Sequence, residues 1–341
     1  MNTNGFSLRL VLFLMLLTFS ITALSHDVKE DIEDNEFPRL MSGYNPSYFA
    51  IVPGTSKTNT NNDTHVEFYL SIAYPIVDDS ADGIVDWLYD RYAGIKRRLN
   101  PDFKPKRFNG DHQVYFVYNG QYDFFSGSRT SSPIISRRQN PGVTYKYTFD
   151  KNKPNMILKN IKLGWFHESN GQALDEESYA NYDGNKADLF EEYRSFGQNP
   201  MDNISRGWDY LEVEFKASYQ SYDFYFNFRD HCNCQALGRE SKEDNIFWDL
   251  SKEETISKYK GTTAIFSYTW ETKYKHLFRF NYILTTGERK YFAEKFTHKV
   301  SLTGIFLLDT PITLFYFNGY GENVSEYHRK TQYLAFGLEF W

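Results

Sequence analysis

The feature that most constrains this chain is an alternation of apolar and polar side chains with a period of two. In residues 66–76 every even position is apolar, and residues 211–217 and 278–284 each contain one fully apolar row in the same way. A period of two places alternate side chains on opposite faces of a β-strand. The sequence therefore predicts an all-β protein built from amphipathic strands.

About twelve segments show this pattern, at residues 44–52, 64–76, 112–125, 142–150, 156–169, 207–219, 221–229, 260–271, 274–285, 290–305, 311–319 and 331–340. Alternation alone fits both a soluble sandwich and a membrane barrel. Aromatic residues make up 18% of the chain while hydrophobic residues total only 41% and the mean hydropathy is -0.59. Aromatic girdles around a polar lumen produce such a balance, so we predict a single-domain antiparallel transmembrane β-barrel.

The two ends of the chain support this prediction. Residues 1–25 predict a secretory signal peptide, because Arg9 precedes a short apolar run and small residues precede His26. A retained membrane anchor is the alternative, but the run is shorter than the ~20 residues that span a bilayer. The final strand ends in Trp341 and resembles the assembly signal of bacterial outer-membrane barrels. We assign 26–43 to a periplasmic segment and 44–341 to the barrel.

Polar connections separate the strands, and the long ones include 77–111, 170–206 and 230–259. We expect the longest outside the cell, because outer-membrane barrels have short periplasmic turns. Within the first, residues 82–98 have helical spacing and predict a short interfacial helix. Cys232 and Cys234 lie in a polar stretch and are interpreted as two loop thiols. The net charge of -6 argues against nucleic acid as a partner.

Three polar side chains interrupt rows that otherwise face lipid. His167 and Ser169 continue the apolar row 161–165, and Asp209 has the parity of the apolar row 211–215. A two-residue offset lets an imidazole and a hydroxyl contact each other on one face. Charged groups on the outer wall cost roughly 0–1 kcal/mol near the interface and more toward the midplane. The pattern therefore predicts a functional group near the rim, the alternative being isolated polar residues exposed to headgroups.

The two motifs around these residues resemble a known family. Residues 167–171 read His-Glu-Ser-Asn-Gly and residues 205–209 read Ser-Arg-Gly-Trp-Asp, which is similar to the active-site hairpin of bacterial outer-membrane phospholipase A. Residues 43–48, 68–75, 131–133 and 318–322 extend the resemblance in the same order along the chain. The resemblance implies that Ser169 is the nucleophile and His167 the general base. Asp209 stands where the family has an asparagine that orients the imidazole, and segment 172–204 is longer than the family usually shows.

The family also uses calcium to stabilise the developing oxyanion. Residue by residue, the resemblance implies ligands at the Gln172 carbonyl, the Ser205 hydroxyl and, across a dimer, Ser131. Asp244 matches a carboxylate that binds calcium in the monomer. Other acidic ligands remain open on sequence alone, namely Asp175, Asp202 and Glu168. A family glutamine that helps to polarise the site could correspond to Gln121.

The expected function is a calcium-dependent phospholipase of the A1/A2 and lysophospholipase type, a serine hydrolase that forms a reversible homodimer in the outer membrane and cleaves phospholipids. A non-catalytic barrel, either porin-like or an inactive homologue, is the main alternative. A secreted soluble β-protein that binds ligands is the third.

Overall fold

The protein is described here from a computed structural model of the chain. The described residues are 47–53, 64–77, 98, 110–125, 134–149, 157–172, 184–195, 203–231, 255–273, 276–305, 311–322, 324 and 327–340. The predicted signal peptide, the periplasmic segment, both cysteines and nearly all of the predicted helix 82–98 lie outside these residues. No helix in the described part of the chain is long and apolar enough to cross a membrane.

Twelve antiparallel strands form one closed barrel. The strands are β1 Ser47–Val52, β2 His65–Val77, β3 Gly110–Phe124, β4 Ile134–Phe149, β5 Leu158–Ser169, β6 Gly207–Tyr219, β7 Tyr222–Asp230, β8 Thr262–Glu271, β9 Leu277–Thr286, β10 Thr297–Ile305, β11 Pro311–Gly319 and β12 Thr331–Phe340. Each strand pairs with its neighbours in the chain, and β1 closes the sheet by pairing with β12. The predicted fold class and the predicted number of strands are confirmed.

The alternation of the sequence becomes an apolar outer wall and a polar lumen. Exposed apolar side chains occupy one row of most strands, for example Leu70, Leu163, Leu211, Leu314 and Phe336. The opposite rows carry buried polar side chains, including Glu67, Ser71, Asn119, Asn140, Glu168, Glu212, Glu214, Thr303, Thr313 and Glu339. A small apolar cluster also lines the inner face of the three adjacent strands β1, β12 and β11. Exposed apolar rows on every side of a closed sheet are typical of a barrel surrounded by lipid.

Strand β4 begins eight residues earlier than the prediction of 142–150. The sequence 140–142 reads Asn-Pro-Gly, which predicts a break, yet the strand continues through it in register with β3. The ladder to β5 contains the pairs Gln139↔Ser169 and Gly142↔Phe166, without Asn140 or Pro141 between them. Proline has no backbone N–H to donate, so Pro141 is tolerated where a ladder is incomplete.

Two further segments differ from prediction. The strand predicted at 290–305 begins only at Thr297, because Arg289–Tyr291 forms a 3-10 turn before it. The connection 170–206 contains helix α1, Lys186–Ser195, which the polar composition did not predict. Asn185 caps this helix by accepting from the backbone N–H of Ala187 at 2.8 Å. Side-chain caps of this kind stabilise the first turn of short polar helices.

The meander fixes the rim at which each connection lies. Strands β5 and β6 meet the connection 170–206 at one end of the barrel, called the Ser169 rim below, and β7 and β8 meet the connection 231–261 at the same end. The chain reverses at alternate ends, so the connection 78–109 joins β2 and β3 at the opposite rim. The expectation that all the longest connections share one side is therefore wrong, because 78–109 lies at the rim opposite the other two.

Candidate active site

The candidate site is the end of the β5–β6 hairpin at the Ser169 rim. In the ladder, His167 lies directly opposite Asp209, and Ser169 lies opposite Gly207. His167 and Ser169 share the outward row of β5 with Leu163, which is 49% exposed. Asp209 shares the outward row of β6 with Leu211. The three side chains are thus on the lipid-facing wall, where the alternation of the sequence places them.

His167 and Asp209 form a direct side-chain contact. The distance between His167 Nδ1 and Asp209 Oδ1 is 2.8 Å. The Asp209 side chain is 7% exposed and that of His167 is 24% exposed. An ionised carboxylate can only accept a hydrogen bond, so Nδ1 of His167 is the donor in this contact. A neutral ring held in this tautomer keeps Nε2 as an acceptor, which a general base requires.

Gly207 leaves room beside the two groups. A Cβ atom at this position would lie 3.2 Å from Ser169 Cβ and 3.6 Å from His167 Cε1. Both side chains therefore surround the same point on the outer wall, and a methyl group there would crowd them. In the sequence, Gly207 stands out only as part of the motif at residues 205–209. The register of β5 and β6 places Gly207 directly opposite the predicted nucleophile. Its importance is therefore recognised only when the register is known.

Asn170 closes the end of the hairpin. Its side-chain Nδ2 donates to the Ile204 carbonyl at 2.6 Å, and its Oδ1 accepts from the Arg206 backbone N–H at 2.9 Å. The same Oδ1 accepts weakly from the backbone N–H of Gln172 at 3.5 Å. The Asn170 side chain is buried, so these bonds satisfy polar groups that water cannot reach. They bring the residues after β5 next to those before β6.

Two of the predicted calcium ligands lie at this closure. Gln172 follows Gly171, whose φ of +58° turns the chain after the strand, and Ser205 precedes β6. Asn170 connects the backbone of both segments, so their oxygen atoms are on neighbouring chain ends. Carbonyl and hydroxyl oxygens suit a hard cation such as calcium. Ser131 and Asp244, as well as Asp175 and Asp202, lie outside the described residues.

Glu168 is not available as a calcium ligand on the outer wall. Its side chain points into the lumen, is 4% exposed and pairs with Lys260 at 2.8 Å. Successive strand residues face opposite sides, so Glu168 and Ser169 lie on different faces of the barrel. Gln121 also faces the lumen, where its Oε1 accepts from Arg138 Nη1 at 2.9 Å.

A separate group of possible metal ligands occurs inside the barrel. In the part of the chain that the structure describes, His65, Glu67 and Asp123 place ligand atoms within 4.8 Å of one another. Glu67 and Asp123 are buried and form a cross-strand pair of β2 and β3. This group belongs to the lumen and does not include the calcium ligands implied by the hairpin motifs.

Comparison with known proteins identifies the fold. No protein-family model matches the sequence, and no curated protein matches it. A structure of outer membrane phospholipase A from Escherichia coli matches with a TM-score of 0.56 and 13% identity, covering 91% of this chain and 95% of that chain. An active-site mutant of the same enzyme matches with a TM-score of 0.56 and 14% identity, over the same shares of both chains. The chain has the fold of outer membrane phospholipase A.

A third solved structure extends the comparison to another organism. The Salmonella typhi outer membrane phospholipase, a dimer with bound calcium, matches with a TM-score of 0.56 and 15% identity over 90% of this chain and 94% of that chain. The resemblance to outer membrane phospholipase A predicted from the hairpin motifs is therefore confirmed at the level of the fold. A closed barrel with this fold and an apolar outer wall is a multi-pass outer-membrane barrel, as the sequence predicted.

Proposed function

We propose that this protein is a calcium-dependent phospholipase of the outer membrane that hydrolyses the fatty-acyl esters of phospholipids through Ser169. One observation carries the proposal: the His167–Asp209 pair and Ser169 share the apolar outer wall, close to the rim. Hydroxyl, imidazole and carboxylate in this relationship are the components of nucleophilic ester hydrolysis. On the lipid-facing wall they meet ester bonds at the boundary between acyl chains and headgroups.

The chemistry follows from the roles of the three side chains. Ser169 Oγ attacks the ester carbonyl while Nε2 of His167 takes its proton, and the buried carboxylate of Asp209 stabilises the imidazolium that forms. The imidazolium then gives the proton to the departing alcohol, which leaves the acyl group on Ser169. Water, activated by the same imidazole, releases the fatty acid and restores the hydroxyl.

The proposed calcium site uses the Gln172 carbonyl and the Ser205 hydroxyl. Calcium, when bound there, supplies positive charge for the developing oxyanion. Ser131 of a second copy and Asp244 complete the proposed ligand set. Few of these ligands are carboxylates, so affinity is modest and depends on assembly. We therefore propose a reversible homodimer as the active form, and the dimeric Salmonella structure with bound calcium supports this part of the proposal.

The alternatives fit the described residues less well. A soluble β-protein is disfavoured by the exposed apolar rows, such as that of Leu163. An open pore is disfavoured because side chains bridge the lumen at the Ser169 rim, where Lys260 contacts Glu168 and Arg138 contacts Gly321. A homologue that kept the scaffold without activity is distinguished by experiment.

The decisive experiment is a hydrolysis assay on mixed micelles of phospholipid, first with calcium and then with excess chelator. We expect fatty-acid release that stops on chelation, and a loss of roughly 10⁴-fold or more in Ser169→Ala. Ser218→Ala is the matched control, because Ser218 lies on β6 near the opposite rim, where its hydroxyl donates to Asp223 at 2.5 Å. Heat-modifiable migration of all variants shows that the barrel is folded. Unchanged hydrolysis in Ser169→Ala would remove Ser169 from the mechanism.

A further inference from the structure

The residue between the proposed nucleophile and the proposed base faces the lumen of the barrel and does not take part in the site on the outer wall. Glu168 projects into the lumen from between His167 and Ser169 and is 4% exposed. Its Oε1 accepts a hydrogen bond from Lys260 Nζ at 2.8 Å and lies 3.5 Å from Arg138 Nε. A buried carboxylate with two cations is strongly fixed in place. The backbone that carries the catalytic pair is therefore tied to groups inside the barrel.

The two cations belong to different parts of the molecule. Lys260 follows the 3-10 turn Ile256–Lys258 in the connection between β7 and β8. Arg138 lies on β4, and its Nη2 donates to the carbonyl oxygens of Gly321 and Glu322 at 2.7 and 3.0 Å. Gly321 and Glu322 belong to the connection between β11 and β12. The carboxylate of Glu168 thus joins β5 to two connections across the mouth of the lumen.

The second strand of the hairpin is anchored on its inner face in the same way. Trp208, the neighbour of Asp209, points into the lumen and belongs to a buried cluster with Ile256, Tyr259, Val324 and Tyr327. The ring centroids of Trp208 and Tyr327 are 5.5 Å apart in an edge-to-face arrangement. Ile256 and Tyr259 lie with Lys260 in the connection between β7 and β8, and Val324 and Tyr327 lie in the connection between β11 and β12 that Arg138 contacts. Both strands carrying the proposed catalytic groups therefore rest on one inner support.

This support lies where the backbone ladder is incomplete. On the β4 side of β5, the ladder passes from Gln139↔Ser169 to Gly142↔Phe166 without pairs at His167 or Glu168. Strand ends with missing ladder bonds open more readily than strand centres. The ion pair of Glu168 with Lys260, called the clamp below, compensates for the missing ladder pairs. It does so where a displacement of His167 and Ser169 would affect catalysis most.

We propose that Glu168 and Lys260 are positioning residues whose ion pair inside the lumen holds His167 and Ser169 in catalytic alignment on the outer wall. This inference rests on the proposed function. It predicts that the rate of the chemical step depends on a lysine that never contacts lipid. Substrate binding on the outer wall does not depend on that lysine.

The test compares Lys260→Met with Lys260→Arg in the mixed-micelle assay. Lys260→Met removes the charge while Arg138 still neutralises Glu168, so the barrel is expected to fold. We expect kcat to fall roughly ten- to hundred-fold with KM unchanged, and Lys260→Arg to recover most of the rate. Lys162→Met is the matched control. It removes another ion pair of the lumen, the 2.8 Å contact with Glu214 that joins β5 to β6 further from the Ser169 rim. That control should keep the native kcat.

The pH dependence provides a readout that general destabilisation would not give. Burial, together with the charges of Arg138 on β4 and Arg229 on β7, lowers the pKa of Lys260 to about 8 in spite of Glu168 on β5. The native kcat should therefore decline as pH rises through about 8. In Lys260→Arg, kcat should not decline in this pH range, because arginine stays protonated.

Three results separate the possible failures. Native kcat in Lys260→Met, with Ser169→Ala inactive, overturns the clamp and leaves the proposed function standing. Activity in Ser169→Ala overturns the proposed function and the clamp with it. If Lys260→Met does not fold, the double variant Glu168→Gln/Lys260→Met removes the buried charge together with its partner. A folded double variant with native kcat also overturns the clamp, and a low kcat with native KM supports it.

Discussion

Replacing Asp209 tests what the His167–Asp209 pair contributes to catalysis. In the structure the carboxylate accepts from His167 Nδ1 at 2.8 Å. Asp209→Asn removes the charge but keeps an oxygen that can accept the same hydrogen bond, and it restores the residue that the resembled family has. Asp209→Ala removes both the charge and the orientation of the ring. The series therefore separates two contributions of one side chain.

The magnitudes follow from the geometry. An imidazolium and a carboxylate whose charges are about 4 Å apart attract by about 4 kcal/mol at an effective dielectric constant near 20, which corresponds to about 10³-fold in rate. The partial exposure of His167 reduces this contribution. We expect Asp209→Asn to lose roughly 10- to 10²-fold in kcat. Loss of a neutral hydrogen bond costs about 1 kcal/mol more, so Asp209→Ala should be slower by about another factor of five.

The assay is the kcat for phospholipid hydrolysis with saturating calcium, with heat-modifiable migration as the check on folding. The expected order is native, then Asp209→Asn, then Asp209→Ala. A native rate in Asp209→Ala would refute a catalytic contribution from the His167–Asp209 pair. If Asp209→Asn is as inactive as Ser169→Ala, the assignment of the second motif to the family's asparagine position is wrong.

Two other substitutions give distinct outcomes. Gly207→Ala should reduce kcat roughly ten-fold or more with little change in the urea midpoint, because its methyl group would lie 3.2 Å from Ser169 Cβ and 3.6 Å from His167 Cε1; an unchanged kcat contradicts this. Burial and the charge of Glu67 raise the pKa of Glu322 from 4.5 to about 7, so its contribution to stability is present below pH 4.5 and is lost as pH rises through about 7. Glu322→Gln should therefore stabilise the barrel against urea at pH 8 by up to about 3 kcal/mol and have little effect at pH 4.5, whereas equal effects at both pH values would contradict the assignment.

The fold could be predicted because a barrel wall has a single periodicity. Alternation in segments such as 66–76 and 207–219 determined both the strands and their outward faces. It failed at β4, where Pro141 and Gly142 lie inside a strand that lacks part of one ladder. It also could not assign rims, since the side of a connection depends on counting every preceding strand. For that reason the sequence predicts one side for all the long connections, whereas 78–109 lies at the rim opposite 170–206 and 231–261.

The outward position of the three site residues was likewise accessible from parity alone. Their pairing was not, because the contact between His167 and Asp209 depends on the register of β5 and β6 across a long connection. The contacts of the inner support could not be predicted from the sequence either. Glu168 and Lys260 are 92 residues apart, and Lys260 lies in a connection with no regular period. Such contacts are determined by closure of the barrel and become visible only in three dimensions.

The most direct test of the account is to locate the covalent adduct of a lipophilic sulfonyl fluoride on the folded protein in detergent with calcium. Peptide mass spectrometry should find the adduct on Ser169, and His167→Ala should abolish the labelling because the base that activates the hydroxyl is gone. An adduct on another serine, or none on the native protein under conditions where it hydrolyses phospholipid, would contradict a nucleophile on the outer wall of the barrel.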